Sequence, residues 1–266
     1  MKYFAMDIET TGLDSEAHIL EVAAVFDDLQ EPLGDIQTTP HSDRCFRRVI
    51  YHDSFDGKCD PYAMQMHTES GLLQSVKSGE LPFDEQGKVT TFQKAAEAFG
   101  SWCRTMFKRY GSAGSSKYDE DPLYINIAGK NIASFDFPRL QNVGFFETAG
   151  VRVRRRMMDP GILFMTPEDV AIPKLEICKE RAGFDSHVAH TALDDAFDIV
   201  RLLNCHFSQQ STNTTMDNTT STLSDEFVDQ PFEYEGKDVR VDGDPYFAAG
   251  TFWVDGCYVE DGSRET

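Results

Sequence analysis

A mixed α/β layered fold is predicted by the order of the apolar runs in this 266-residue chain. Short runs bounded by turn residues read as strands at about 2–9, 17–27, 44–51, 123–128 and 152–158. Between the third and fourth runs, Phe92, Ala95, Phe99, Trp102 and Phe107 recur at helical spacing, so residues 91–110 read as a crossover helix. Further helical patterns lie at 174–182 and 191–207. Three strands, then helix, strand, helix, strand and helices, is the pattern of helices layered on a sheet.

The first strand carries the most informative residues. Tyr3-Phe4-Ala5-Met6 is short and apolar, and Asp7 and Glu9 follow two apart, so both carboxylates share one face. Two carboxylates at the end of a buried strand repel each other and are costly to desolvate. A divalent cation is the simplest relief; a solvated strand end is the plain alternative. Thr10-Thr11-Gly12 then makes a polar turn where a ligand can approach the backbone. The second strand, through Ile19 to Val25, lies after that turn, and Cys45 to Ile50 reads as the third.

Leu123 to Ala128 reads as the fourth strand, followed by Gly129-Lys130-Asn131, a turn and a helix cap. Asp136 then falls early on a helix leaving a strand tip, where the positive helix end favours anions. Taken alone it reads as a solvated helix-start residue. Near 190, Thr191 and Asp194 have the spacing of a capping box, with Asp in place of Glu or Gln. With Thr191 as N-cap, His190 is N′ and Asp195 is N4, positions that meet in space at a stapled helix start. An imidazole and a carboxylate are thereby brought together, and Asp194 keeps a local structural task. The bland alternative is a capped helix with a surface histidine. His187 has no such partner and reads as ordinary.

Composition bounds the rest. The length suits one full-sized domain with appendages, or two domains. No export signal and no apolar run of about 18 residues is visible, so neither secretion nor a membrane span is expected. Six cysteines are scattered without a C-x-x-C pair, which fits a reducing cytoplasm. His41, Cys45, His52, Cys59 and His67 fall in one stretch, but their irregular spacing and the strand at Cys45 weigh against zinc. A net charge of −20 excludes a large non-specific duplex-binding surface. Basic residues are instead bunched at Arg47-Arg48, at Arg104 with Lys108-Arg109, and at Arg152 to Arg156, as strand-contact patches or ordinary solvated faces.

After Phe207 the character changes. Residues 208–230 are rich in Ser, Thr, Asn and Gln over most of their length and read as a flexible linker after a 1–207 domain. Residues 231–266 alternate aromatics with Asp-Gly turns and read as a small β-hairpin appendage. From 208 onward there are 13 acidic and 3 basic residues, half of the chain's net negative charge.

Asp-x-Glu after a strand, Asn-x-x-x-Phe-Asp at a helix start and His-x-Ala-x-x-Asp-Ala, in that order, resemble the DEDDh branch of the DnaQ-like 3′→5′ exonucleases. The resemblance runs from about Met1 to Phe207 and implies a ribonuclease-H-like mixed five-stranded sheet with helices on both faces. It implies that Asp7, Glu9, Asp136 and Asp195 hold two Mg2+ or Mn2+ ions and that His190 is the general base. Thr10, Thr11, Gly12, His67 and Asn131 are expected at the substrate, with Asp60 to His67 similar to the family's cleft-lining segment. Many members have His where this chain has Lys130, so a phosphate contact there differs. The implied substrate is the 3′ end of single-stranded DNA or RNA, DNA ahead of RNA although no residue marks a 2′-hydroxyl contact; a polymerase or replication partner is also implied. The competing class is a non-catalytic nucleic-acid or polymerase-associated module that keeps the fold. Retention of all four carboxylates and the histidine favours the enzyme.

Overall fold

β1 (Lys2–Thr10) and β2 (Ile19–Asp28) form the centre of the sheet, antiparallel from Lys2↔Asp28 to Glu9↔Glu21, with a register shift at Thr10. The computed structural model describes residues 1–32, 43–55, 59–78, 88–111, 122–187 and 191–216, then strand segments between 232 and 265. β3 (Cys45–Ile50) adds antiparallel to β2, and β4 (Lys88–Thr90) adds parallel to β3. On the other side, β6 (Ile127–Ala128) runs parallel to β1, giving the order β4-β3-β2-β1-β6. β5 (Leu123–Ile125) pairs in parallel with β7 (Val151–Val153). This is the mixed five-stranded sheet expected, with a different membership.

The differences have local causes. The fourth strand, expected unbroken over 123–128, is divided at Asn126, whose carbonyl accepts the Phe4 N–H at 3.0 Å and whose side-chain amide donates to Lys2 O at 2.9 Å. Asn126 thus marks where the chain changes partner from β7 to β1. The strand expected at 152–158 keeps regular pairing only over Val151–Val153, and Met158 returns in a single bridge to Ala128. β4 was not expected, because three residues carry too little pattern.

Helices cover both faces. α1 (Pro61–Glu69) has Asp60 as N-cap, with its side chain accepting from Tyr62 N–H at 2.7 Å, and Pro61 in the first turn where no donor is needed. It is followed by α2 (Leu72–Ser78), which packs Leu72, Leu73 and Val76 on Leu20 and Val49. α3 (Phe92–Tyr110) is the expected crossover helix, capped by Thr91. α4 (Asp136–Asn142), α5 (Phe145–Ala149) and α6 (Pro160–Leu163) are short; α7 (Leu175–Arg181) and α8 (Ala192–Met216) complete the series.

The period-2 alternation of β1 decides which helices each residue meets. Phe4, Met6 and Ile8 face α3, α4 and α5, where Phe4 contacts Phe26, Phe99, Trp102 and Phe107 at ring separations of 5.2–6.2 Å. Tyr3 and Ala5 face α7 and α8, against Cys178, Ala192, Ala196, Ile199 and Val200. Asp7 and Glu9 continue the Tyr3–Ala5 series and so point to the α8 side.

The chain divides into two units, Met1–Gln210 and Ser211–Thr266. α8 runs on to Met216, beyond the Phe207 at which the composition changes, and 217–231 lie outside the described residues. In the second unit, β8 (Phe232–Tyr234), β9 (Lys237–Val241), β12 (Cys257–Val259) and β13 (Arg264–Glu265) form a four-stranded sheet of order β13-β12-β9-β8. β10 (Tyr246–Ala248) and β11 (Thr251–Trp253) form a separate antiparallel hairpin.

Gly100 lets α3 touch the end of α5, because a β-carbon there would run into the Ala149 carbonyl. Gly100→Ala is therefore expected to lower unfolding free energy by about 1–3 kcal/mol, the usual cost of overpacking. Denaturant melts of the two proteins check this, and equal midpoints would contradict the contact.

Candidate metal centre

Three elements bring four carboxylates together. One oxygen from each of Asp7, Glu9 and Asp195 lies within 4.8 Å of the others. Asp7 and Glu9 come from the α8-facing side of β1, and Asp195 from the first turn of α8. Its neighbour Asp194 turns away as expected: it accepts from the Thr191 hydroxyl at 2.6 Å, and its N–H donates back to Thr191 Oγ1 at 3.3 Å. Asp136 arrives from the α4 start for a specific reason. β1 outruns β6, whose pairing stops at Ala5↔Ala128, and Asp136 Oδ1 accepts the Ile8 N–H beyond it at 3.1 Å.

The cluster is electrostatically unfavourable by itself. Burial pushes the Asp7 carboxyl well above the usual range, and Asp136, Asp195, Glu9 and Glu21 push it further. Glu9 is raised to about 9, first by burial, then by Glu21, Asp195 and Asp136. Burial is also the main cause of the upward shifts of Asp136 and Asp195. The Asp195 Oδ1 atom is buried and has no hydrogen-bond partner among the described residues. Clustered oxygen donors of this kind suit a hard divalent cation such as Mg2+ or Mn2+.

Glu21, which the sequence marks only as part of a strand, supports the site. It is 1% exposed, lies opposite Glu9 in the ladder, and pairs with Arg47 of β3. Its other carboxylate oxygen accepts the Ala192 N–H at 3.2 Å, holding the start of α8 and hence Asp195. The available signal was an acidic residue inside an otherwise apolar run.

Other expected residues occupy structural positions. The Thr10 hydroxyl donates to Gly12 O at 2.7 Å, and Thr11, fully buried, accepts the His18 N–H at 2.9 Å. Gly12 allows α1 to approach, since a β-carbon there would lie 2.9 Å from Asp60 Cβ. His67, expected to meet substrate, is fully buried, with Nε2 2.9 Å from Thr10 O and 3.7 Å from Glu9 Oε2. Its ring braces the turn and the Glu9 carboxylate from inside the fold. The stretch Gly129-Lys130-Asn131 forms the expected turn, with Asn131 left-handed (φ 56°) and its N–H donating to Asp159 Oδ2 at 2.9 Å, whereas the cap of α4 falls at Phe135. Lys130 donates to Asn131 Oδ1 at 2.7 Å and lies 3.7 Å from Asp159. His190 lies outside the described residues. Cys45, His52, Cys59 and His67 form no metal group among the described residues, and His41 lies outside them.

No protein-family model and no curated protein matches the sequence. Solved structures to which it is similar include cell-death related nuclease 4 (CRN-4), at 15% identity and a TM-score of 0.49, covering 78% of this chain and 64% of that one. E. coli Exonuclease I in complex with a dA16 oligonucleotide matches at 15% identity and a TM-score of 0.43, over 79% of this chain and 43% of that one. The Neurospora crassa Pan2 catalytic unit (protease and nuclease domain) matches at 14% and 0.43, over 81% and 28%. The chain thus spans less than two thirds of the length of each. No helix among the described residues is long and apolar enough to cross a membrane.

Two outcomes follow from the electrostatics. A carboxyl whose pKa is raised on folding stabilises the fold most below its unfolded value and loses that contribution as pH rises through the folded value. For Glu9 that window runs from 4.5 to about 9. In chelator, thermal stability should therefore fall between these limits, and magnesium should restore it most at the alkaline end; a flat profile would contradict the buried cluster. Glu21→Ala strips a partner from Arg47 and an acceptor from Ala192, and should cost about 3–5 kcal/mol, as breaking a buried pair does. Glu21→Gln keeps an acceptor and should cost less; denaturant unfolding of both variants compares them.

Proposed function

We propose that the chain is a metal-dependent 3′→5′ exonuclease of the DEDDh type, releasing nucleoside monophosphates from single-stranded nucleic acid. The observation that carries this reading is the convergence of Asp7, Glu9 and Asp195 oxygens within 4.8 Å, with Asp136 bound to the intervening Ile8 N–H. Such a cluster opposes stability when bare, which argues for a chemical rather than a structural use. The polarity of attack and the reading of His190 as base rest on the motif resemblance.

Asp7, Glu9, Asp136 and Asp195 would hold two divalent cations. When bound, such ions offset phosphate charge and make a water acidic enough to lose its proton near neutral pH. The chain's own part is positioning. The double-sided burial of β1 holds Asp7 and Glu9, the Ile8 N–H orients Asp136, and Glu21 anchors the α8 start that presents Asp195. His190, with an ordinary pKa of about 6.5, is suited to take the proton from the attacking water. DNA is the first substrate to test and RNA the second.

Incubation with 3′-labelled single-stranded DNA and RNA, with and without magnesium, tests the activity directly. Asp7→Ala should abolish turnover while leaving metal-free stability unchanged or higher, because it removes a carboxyl whose ionisation burial and its acidic neighbours oppose. His190→Ala should lower kcat by roughly 100- to 10,000-fold, the usual worth of a positioned base, with little change in magnesium binding. Undiminished magnesium-dependent turnover in Asp7→Ala would sink the assignment. A larger loss from His187→Ala than from His190→Ala would reassign the base.

A further inference from the structure

Beside β7 lies an open groove of about 950 Å³, lined by Tyr124, Phe137, Gln141, Arg152, Arg154 and Arg155. Glu147 is the carboxylate among its lining residues. Arg152, Arg154 and Arg155 are exposed, and none has an ion-pair partner among the described residues. In a chain of net charge −20, three unpaired arginines in one groove are a local reversal of the overall field. Tyr124 is 42% exposed although its strand neighbours Leu123 and Ile125 are buried, and the Arg154 guanidinium sits 5.6 Å from its ring centroid. Phe137 stacks on Phe146 at 5.6 Å, which fixes a second aromatic side chain at the groove.

The groove adjoins the carboxylate cluster through α4. Asp136 and Leu140 are buried, while Phe137 and Gln141, one turn apart, line the groove. One short helix therefore serves both places. Guanidinium groups match phosphate oxygens in charge and planar geometry, and aromatic faces accept unstacked bases. An acidic peptide would use the arginines but leave Tyr124 and Phe137 without a role.

We propose that this groove is a second subsite, which holds phosphodiester nucleotides of a single strand away from the cleaved end. The choice of ligand rests on the exonuclease reading; the groove itself does not. The test uses the full chain in chelator, where no turnover occurs, and fluorescence anisotropy of a 5′-labelled oligonucleotide of about 20 nucleotides, as dT and as rU. Replacing Arg152, Arg154 and Arg155 together by Ala should weaken binding at least about tenfold at low salt. The slope of log affinity against log salt should drop by about 2, since each phosphate contact on a single strand contributes roughly 0.7. Tyr124→Ala should weaken binding by roughly 5- to 150-fold, the range of a lost base stack. With magnesium, kcat on a dinucleotide should be unchanged in both variants, because so short a substrate does not reach the groove.

Unchanged affinity and salt slope in the triple variant would overturn the proposal. So would an equal loss on replacing the exposed Lys94, Lys108 and Lys174 by Ala, which would make the effect one of net charge alone. Groove-dependent binding by a protein that hydrolyses neither DNA nor RNA would overturn the exonuclease reading and leave the subsite standing.

Discussion

Mutual repulsion among desolvated carboxylates at the end of β1 is the constraint around which this fold is arranged. Burial, which removes the water that would solvate the charge, raises the pKa values of Asp7, Glu9, Asp136 and Asp195, and neighbouring cluster carboxylates raise Asp7 and Glu9 further. Only a rigid frame can hold such groups in place. β1 supplies it, with Phe4 and Met6 locked into an aromatic core on one face and Tyr3 and Ala5 against α8 on the other. A side chain anchored at both neighbours has little freedom to swing away from like charge.

A ring of supporting interactions stands behind the carboxylates. Glu21 joins β2 to Arg47 of β3 and to the first turn of α8. Lys179, 4% exposed, pairs with Asp198 of α8 and donates to the His187 carbonyl. That bond ties the chain immediately before the segment carrying His190 to the same helix that carries Asp195. The buried His67 contacts the Thr10 carbonyl and lies near Glu9. Each of these contacts joins an element that carries or flanks the carboxylate cluster to a neighbouring strand, helix or turn.

Charge is distributed to match. Half of the net negative charge lies beyond residue 207, outside the part that builds the cluster. Exposed arginines gather at and just after β7, in the groove that Phe137 and Gln141 of α4 also line. The groove is thus a patch of local attraction within a net negative chain, and attraction of that kind weakens as salt screens it.

The sequence by itself determined the layered α/β class, the crossover helix, the shared face of Asp7 and Glu9, and the split of Asp194 from Asp195. Each of these is set within one or two turns or strand residues, by period-2 or period-3.6 geometry and by capping chemistry. Only the tertiary structure decided the rest. That Asp136 completes the cluster depends on β1 outrunning β6, a matter of strand register that no local pattern encodes. Glu21 became a support because β1 and β2 pair Glu9 with it, and that register is set between strands rather than within one. His67 was drawn inward, and Asn131 into a left-handed turn, by contacts with residues distant in the chain, Thr10 and Asp159. Residue type and spacing therefore set which acidic residues share a face, while long-range pairing selects which of several side chains joins the carboxylate cluster and which packs behind it.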